Sequence, residues 1–530
     1  MKRNIHKVLP VKKSLLDLLW VVGMSLFFAC LLTYINSFTN GFMMDDHIAL
    51  FGQTGVENRS FGQILSHDLG GFYRPVGLFV LRVVNQLAQH NPTGYHVANF
   101  ILFFLMVFLF FKLFEKITGD RPLAFLAALL YAVHPLNGMI VNYMTASLLA
   151  TFVLCTQLSL LLFIRFSDSG RKRDYILSLG FFIFALLSHE ISLAVPIYLA
   201  AYLFFMKKEK WGRFFALLAP YVVFTAVYFG ARLKEFFFAR IIHGASQAVG
   251  DPAGHFTTWF DLVAWFVSKL VVPREIVFLW SQKYGALYFS GKAVVFALIV
   301  AVCVYFIFFK WKRGWKPFVL TVFMVGFLPS VISAFSYFPI VWPLLEPHWF
   351  YFSEMGFFLF AAAFLMKVVR KHARIGIGIV VVLIGILVVL AWDYNSKWQT
   401  QEKYSRYWLS LNTGNLTPYY GLGWSLMDKG DCRGAVEAFQ NGIAALNTNN
   451  VYLLADAGHC FDVLGEDSAA AFFLNAATKE GPDYAMTYHY MGLYLMKRKD
   501  QIGAVRMFKK AVELDPKFSP SRPYLEKMGK

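Results

Sequence analysis

Long unbroken apolar runs fill the chain from Leu15 to about Tyr394 and then stop. A run of about 20 apolar residues is long enough to cross a bilayer as a helix. Such windows lie at 15–38, 94–117, 122–144, 146–165, 175–188, 190–206, 214–232, 291–310, 316–338, 349–368 and 375–393, about eleven spans by that length rule. The stretch 259–282 is read as an interfacial segment; if it spans, every later loop changes sides. The first run is too long for a signal-peptide core and has no small-residue cleavage site before Asp45, so it is read as a retained span. Val76–Leu87 is apolar on one face and interrupted by Arg82, Asn85 and Gln86, which suits a helix lying along the membrane surface.

Past Tyr394 the pattern turns polar, alanine-rich and repetitive. Gly423, Gly458 and Gly492 recur at nearly constant spacing; Ala435, Ala470 and Ala504 follow each at the same offset, then Phe439, Leu474 and Phe508. Gly442, Ala477 and Ala511 match next, and Asn447, Pro482 and Pro516 close the units. A period near 34 residues with small residues where paired helices meet is the signature of tetratricopeptide (TPR) repeats. Three units, about 416–450, 451–484 and 485–518, are near the minimum for a stable array. The predicted fold class is therefore all-α: a polytopic membrane domain over 1–394, a linker over 395–415 and a TPR solenoid over 416–530.

Composition agrees with this division. Hydrophobic residues are 58% of the chain and charged ones 15%, against roughly 45–50% and 25% in soluble proteins. The net charge of +18 calls for no nucleic acid. Most of it lies in short loops: Lys112/Lys116/Arg121, Arg165/Arg171/Lys172/Arg173, Lys207/Lys208/Lys210/Arg213, Lys310/Lys312/Arg313/Lys316 and Lys367/Arg370/Lys371/Arg374. These and the N-terminal Lys2, Arg3, Lys7, Lys12 and Lys13 all fall on one side of the proposed spans, where they suit anionic headgroups. Loops 137–146, 188–190 and 337–348 on the other side hold no Lys or Arg. The positive-inside rule makes the basic side cytoplasmic. Asp45, Asp46 and the TPR array then face outward, into a bacterial periplasm or alternatively the ER lumen.

Against that background Asp45-Asp46 stands out. Adjacent carboxylates at the mouth of a span stabilise little and are functional candidates, with a merely solvated acidic loop as the competing reading. Arg74, before Pro75, is a candidate anion clamp, because guanidinium binds phosphate bidentately and stays charged. His189-Glu190 occupies a short loop between apolar runs. Glu346, His348 and Glu354 surround an aromatic run that also fits an interfacial belt. His134 precedes Pro135 at a helix interruption, where a polar side chain can satisfy freed backbone. His67-Asp68 matches no metal set, and loop 234–258, with His243, Asp251 and His255, is assigned nothing beyond gating. Cys30, Cys155 and Cys303 read as apolar packing residues. Cys432 and Cys460 have no metal spacing, and a disulfide between them is open.

Several segments resemble the transmembrane-and-TPR protein O-mannosyltransferases and their bacterial relatives, within the GT-C superfamily that uses polyprenyl-phosphate-sugar donors. Asp45-Asp46 follows the first span as in that family, and Tyr73-Arg74-Pro75-Val76 follows later. His134-Pro135-Leu136 resembles its H-P-V, Ser147–Ala150 its D-L-L-A, and Ser188–Pro196 its S-K-E-x-G-x-x-V-P. Glu346–Tyr351 resembles its E-R-Y-L-Y region, and Trp392–Asn395 its R-N-x-x-W linker. The chain departs from the pattern where His189 replaces Lys, His348 replaces Arg, Met139 replaces an acid, and Thr145 and Ser147 replace the Arg and Asp of G-R-A-D.

The resemblance implies an integral-membrane glycosyltransferase that moves a sugar from a polyprenyl phosphate to a hydroxyl acceptor, with protein O-glycosylation preferred because a TPR array can hold an acceptor protein. It places the general base on Asp45 or Asp46. Asp45 is taken as base with Asp46 orienting the acceptor or binding a metal, and the reverse stays open. Arg74 would hold the donor phosphate, aided by His189 or His348 if protonated; His134, Glu190, Glu346 and Tyr73 are further substrate-site candidates. No organic cofactor is called for, and a divalent metal is allowed. Single displacement would invert the anomeric centre. Two other classes remain: a non-catalytic membrane-anchored TPR scaffold and a transporter of lipid-linked sugar. The scaffold leaves the acidic pair unexplained, and the two halves of the membrane domain show no convincing internal similarity of the kind a transporter would have.

Overall fold

The computed structural model describes residues 18–43, 45–52, 55–66, 73–232, 252–281, 291–328, 330–331, 344–411, 414–515 and 520–528. The N-terminal basic cluster, His67-Asp68, His243, Asp251 and Pro516 lie outside the described residues, and so does the side chain of His255.

Nearly every described segment is helical. Among the described residues six helices are long and apolar enough to cross a membrane: Leu19–Thr39, Pro92–Thr118, Met144–Ser169, Glu190–Lys207, Trp211–Arg232 and Ala373–Lys397. A seventh is a bent pair, Arg121–Val133 with Pro135–Asn142, meeting at 59°. The protein is therefore a multi-pass membrane protein, and among the described residues six helices, or seven with the bent pair, are long enough to span, so the count of eleven is not confirmed. The apolar runs at 175–188, 291–310, 316–338 and 349–368 form the shorter helices Lys172–Leu186, Gly291–Tyr305, Trp315–Val325 and Met355–Lys371. Hydropathy windows measure apolar length, whereas local backbone chemistry decides where a helix stops. Pro252–Val271 is a helix, so the last part of the expected 234–258 loop is its first turns.

Local chemistry explains the boundaries. Asn91 caps Pro92–Thr118 by accepting from the Thr93 N–H at 3.1 Å, with Pro92 in the first turn, where a missing N–H costs little. Asp120 caps the next helix through the Leu123 N–H at 3.2 Å. That helix ends because Pro135 lacks an N–H and pushes the preceding residue out of the helical region; His134 is extended, with ψ 127°. The ends of several helices are tied at one face: Lys116 to Asp168 at 2.6 Å, Lys207 to Asp168, Arg370 to Asp120, and Arg313 to the Phe204 carbonyl at 3.0 Å. The expected basic clusters thus share one end of the bundle.

Opposite that end, β1 (Trp280–Ser281) pairs antiparallel with β2 (Leu344–Leu345). The expected linker is itself helical over Gln401–Ser410 and packed down. Trp398 and Trp408 are buried; the Tyr404 hydroxyl accepts from the Phe278 N–H at 2.7 Å, and that of Tyr407 donates to the Ile276 carbonyl at 2.9 Å.

Three helix pairs follow: Thr417–Asp428 with Cys432–Leu446, Val451–Leu464 with Asp467–Glu480, and Ala485–Lys497 with Gln501–Leu514. Asp431, Asn450 and Asp500 cap them through the backbone N–H groups of Gly434, Tyr452 and Gly503. All five cysteines are free, and Cys432 and Cys460 are buried packing residues. The repeated glycines earn their place by close approach: a Cβ on Gly492 would meet the Phe508 ring at 2.5 Å, and one on Gly458 would meet Leu474 at 2.8 Å. Gly492→Val is therefore expected to destabilise the array by about 1–3 kcal/mol through overpacking. Thermal unfolding of the detergent-solubilised chain would show it, with Gly378→Val, where a Cβ meets nothing within 4 Å, as the unchanged control.

Candidate active site

After the first helix the chain runs extended through Asn40–Met43 and turns at Asp45-Asp46. Buried amides pin this segment. Asn40 donates to Asn142 Oδ1 at 2.9 Å and to the Asn395 carbonyl at 3.1 Å, and Asn142 donates to Asn395 Oδ1 at 2.7 Å. Asn395 thus ties the start of the linker to the acidic loop.

The two aspartates are not equivalent. Asp46 is fully buried. Its Oδ2 accepts from the Met43 N–H at 3.0 Å and its Oδ1 from the Thr145 N–H at 3.1 Å. Burial pushes its pKa up to about 7, partly opposed by these N–H donors and reinforced by the charge of Asp45. Asp45 has an exposed surface although protein surrounds it densely, as for a carboxylate on the floor of an open recess. Its pKa is raised by the surrounding protein and by the negative charge of Glu346, against the Tyr143 hydroxyl, which favours the ionised form. Tyr143 Oη donates to Asp45 Oδ2 at 3.4 Å and its ring packs on Phe278 at 5.0 Å.

A second row of polar groups runs beside Asp45. Glu346 Oε2 lies 3.0 Å from His348 Nε2. The rings of His348 and His189 are 6.0 Å apart, and Glu190 Oε2 is 3.5 Å from His189 Nδ1. Arg74 closes the row, with Nη2 2.8 Å and Nε 2.9 Å from Glu190 Oε2. His189 Nδ1 accepts from the Ile191 N–H at 3.3 Å, which assigns its proton to Nε2. Burial and the neighbouring Arg74 charge hold its pKa well below the usual imidazole value. His189 therefore offers a hydrogen bond, not the positive charge expected of a protonated helper. The charge of Arg74 is shared with Glu190 rather than held for a ligand alone.

The structure brings Asp45, Glu346, His348, His189, Glu190 and Arg74 together and leaves two expected residues aside. Tyr73 donates to the Leu65 carbonyl at 2.8 Å and its ring faces the Arg232 guanidinium at 5.7 Å. His134 is buried against Phe358 at 5.1 Å and its Nδ1 accepts from the Leu136 N–H at 3.4 Å, the backbone-satisfying role open to a residue at that break. Glu354 is fully buried among Tyr34, Tyr131 and Tyr351 rather than in the row. Tyr143 was not singled out beforehand, and nothing in its local sequence marks it; only the bend after His134 brings it to Asp45. Among the described residues no group of three or more His, Cys, Asp or Glu has the geometry to hold a metal. Each Asp46 oxygen accepts one backbone N–H.

Residues 74–230 match the family described as dolichyl-phosphate-mannose-protein mannosyltransferase. The chain resembles the protein O-mannosyltransferases. It is 22% identical over 435 residues to protein O-mannosyl-transferase F38B6.6 of Caenorhabditis elegans, a match covering 78% of this chain and 61% of that relative. The matched family region begins at Arg74 and contains His189 and Glu190, but neither acidic pair residue nor the helical repeats. Among solved structures, an Archaeoglobus fulgidus oligosaccharyltransferase tethered to an acceptor peptide aligns with TM-score 0.42 at 12% identity, covering 71% of this chain and 55% of that one. The APC/C hetero-tetramer Cut9–Hcn1 aligns with TM-score 0.25 at 13% identity, covering 89% of this chain and 92% of that one. Both likenesses are too distant to assign function.

Proposed function

We propose that this chain is an integral-membrane glycosyltransferase that moves a sugar from a polyprenyl phosphate to a protein hydroxyl, with Asp45 as general base. The observation that carries this reading is the division of labour in the acidic pair: Asp46 is locked by two backbone N–H groups while Asp45 opens to solvent beside Glu346. The acceptor hydroxyl binds at Asp45 Oδ, which takes its proton as the oxygen attacks C1. The bond from C1 to the phosphate oxygen breaks, and the lipid phosphate leaves with the electron pair toward Arg74. Attack opposite the leaving group inverts the anomeric carbon. Asp46 and Tyr143 position Asp45, and His189 Nε2–H is a neutral donor for the leaving oxygen.

The gathered basic helix ends and the positive-inside rule support a cytoplasmic basic face, with the site and repeats on the periplasmic or lumenal side. Residues 1–394 then form the catalytic domain and 416–530 the acceptor-binding array. The test is a mass shift on outer-face proteins of membranes expressing the chain and supplied with polyprenyl-phosphate sugars. No shift with any donor, while a partner co-purifies through the repeats, would favour the scaffold.

The pH dependence follows from the sign of the shift. A base acts only when ionised, and a raised pKa moves that ionisation upward. The ascending limb of kcat/KM is expected above the ordinary carboxylate range, because burial and the charge of Glu346 raise the Asp45 pKa. An ascending limb centred at the ordinary 3.8 would remove burial and Glu346 from the account.

A further inference from the structure

Three tyrosines of the repeat array stand next to one another: Tyr420 and Tyr452 on the first helices of two units, and Tyr484 at the N-cap of the first helix of the third. Their rings meet edge to face, Tyr420 to Tyr452 at 6.2 Å and Tyr452 to Tyr484 at 4.8 Å. All three are half-buried, so the ladder keeps a face open. Behind it lies Asp456, 2% exposed. Burial pushes its pKa up to about 7, opposed by the hydroxyls of Tyr490 and Tyr420 and by no cation, and its Oδ2 has no hydrogen-bond partner. The nearby cations are engaged elsewhere: Arg498 pairs with Asp462 at 2.8 Å and with Asp467, and Lys497 faces Asp462 at 3.6 Å.

A buried carboxylate without a cation is costly, and tyrosine faces present negative potential that attracts cations. Together they make a half-open tyrosine ladder over a buried carboxyl that a positive charge would ionise and satisfy. We propose that this tyrosine ladder takes a cationic side chain, lysine or arginine, of an extended acceptor peptide, with Asp456 as its counter-charge. The inference rests on the acceptor-binding reading of the array and deepens it. Continuity with the acidic pair supports it: Trp424, one turn beyond Tyr420 on the same helix, packs its ring 5.7 Å from that of His47, the residue after Asp46. A peptide anchored at Asp456 thereby leads toward Asp45.

The test uses the full chain in detergent and fluorescein-labelled threonine–alanine peptides that differ only at one central residue: lysine, norleucine or glutamate. Fluorescence anisotropy is expected to show the lysine peptide binding about tenfold more tightly than norleucine, with glutamate weakest. Asp456→Asn should abolish that preference. Tyr452→Ala, which removes a half-exposed rung rather than a buried group, should reduce it severalfold with helical content unchanged. Equal binding of lysine and norleucine, absence of any peptide binding, or a lysine preference that survives both substitutions overturns the proposal. Binding is read without sugar transfer. A chain that prefers lysine but transfers nothing refutes the enzyme reading alone, and one that transfers with no preference refutes the ladder proposal alone.

Discussion

Asp45→Asn is expected to lower sugar transfer by about 10²- to 10⁴-fold, the usual contribution of a positioned general base, with no change in thermal unfolding. The asparagine keeps the size of the side chain and its contact with the Tyr143 hydroxyl, but cannot take the acceptor proton. Asp46→Asn is expected to behave differently. Asp46 accepts from two separate N–H groups, one on each oxygen. An asparagine has one acceptor oxygen, so its NH₂ must face a backbone N–H, leaving a buried donor unsatisfied at about 1–3 kcal/mol. This variant should unfold at lower temperature and lose transfer only as far as the loop shifts. Measuring initial rates and unfolding on the same preparations separates the two. Equal activity loss without destabilisation in both would put the base on either residue; loss confined to Asp46→Asn would move it there.

Much of this arrangement was legible in the sequence because it depends on local pattern. Apolar runs, glycine and alanine spacing and the position of Asp45-Asp46 each report a short-range constraint. The repeats were readable because Gly492 must face Phe508 at a distance no side chain allows. Span number was less so, since helix ends depend on caps such as Asn91 and Asp120 and on breakers such as Pro135, which a hydropathy average ignores. The distinct surroundings of the two aspartates were not readable. They depend on Thr145, which follows them by 99 residues and contributes only its backbone N–H. The charge state of His189 was left open by the sequence, because it is set by burial, by the Arg74 charge and by the Ile191 N–H.

The Arg74–Glu190 pair yields the second large effect. Both side chains are mostly buried, 19% and 15% exposed, and removing one partner of such a pair leaves an uncompensated charge. Arg74→Gln alone is therefore expected to destabilise the protein, raise the KM for the polyprenyl-phosphate donor by at least about tenfold and lower kcat/KM by about 10²-fold, since charge-assisted contacts to phosphate are among the stronger ones. Lysine should not rescue it, because an ammonium cannot hold a carboxylate and a phosphate through one planar fork. The decisive variant is the double one, Arg74→Gln with Glu190→Gln. It removes both charges and should recover thermal stability. If Arg74 serves only to neutralise Glu190, transfer returns with stability. If Arg74 also receives the departing phosphate, stability returns and transfer does not. The second outcome is expected: Arg74 stands at the end of a row that begins with Glu346 beside Asp45 and passes through His348 and His189, so the proposed base and the proposed phosphate clamp stand at its two ends.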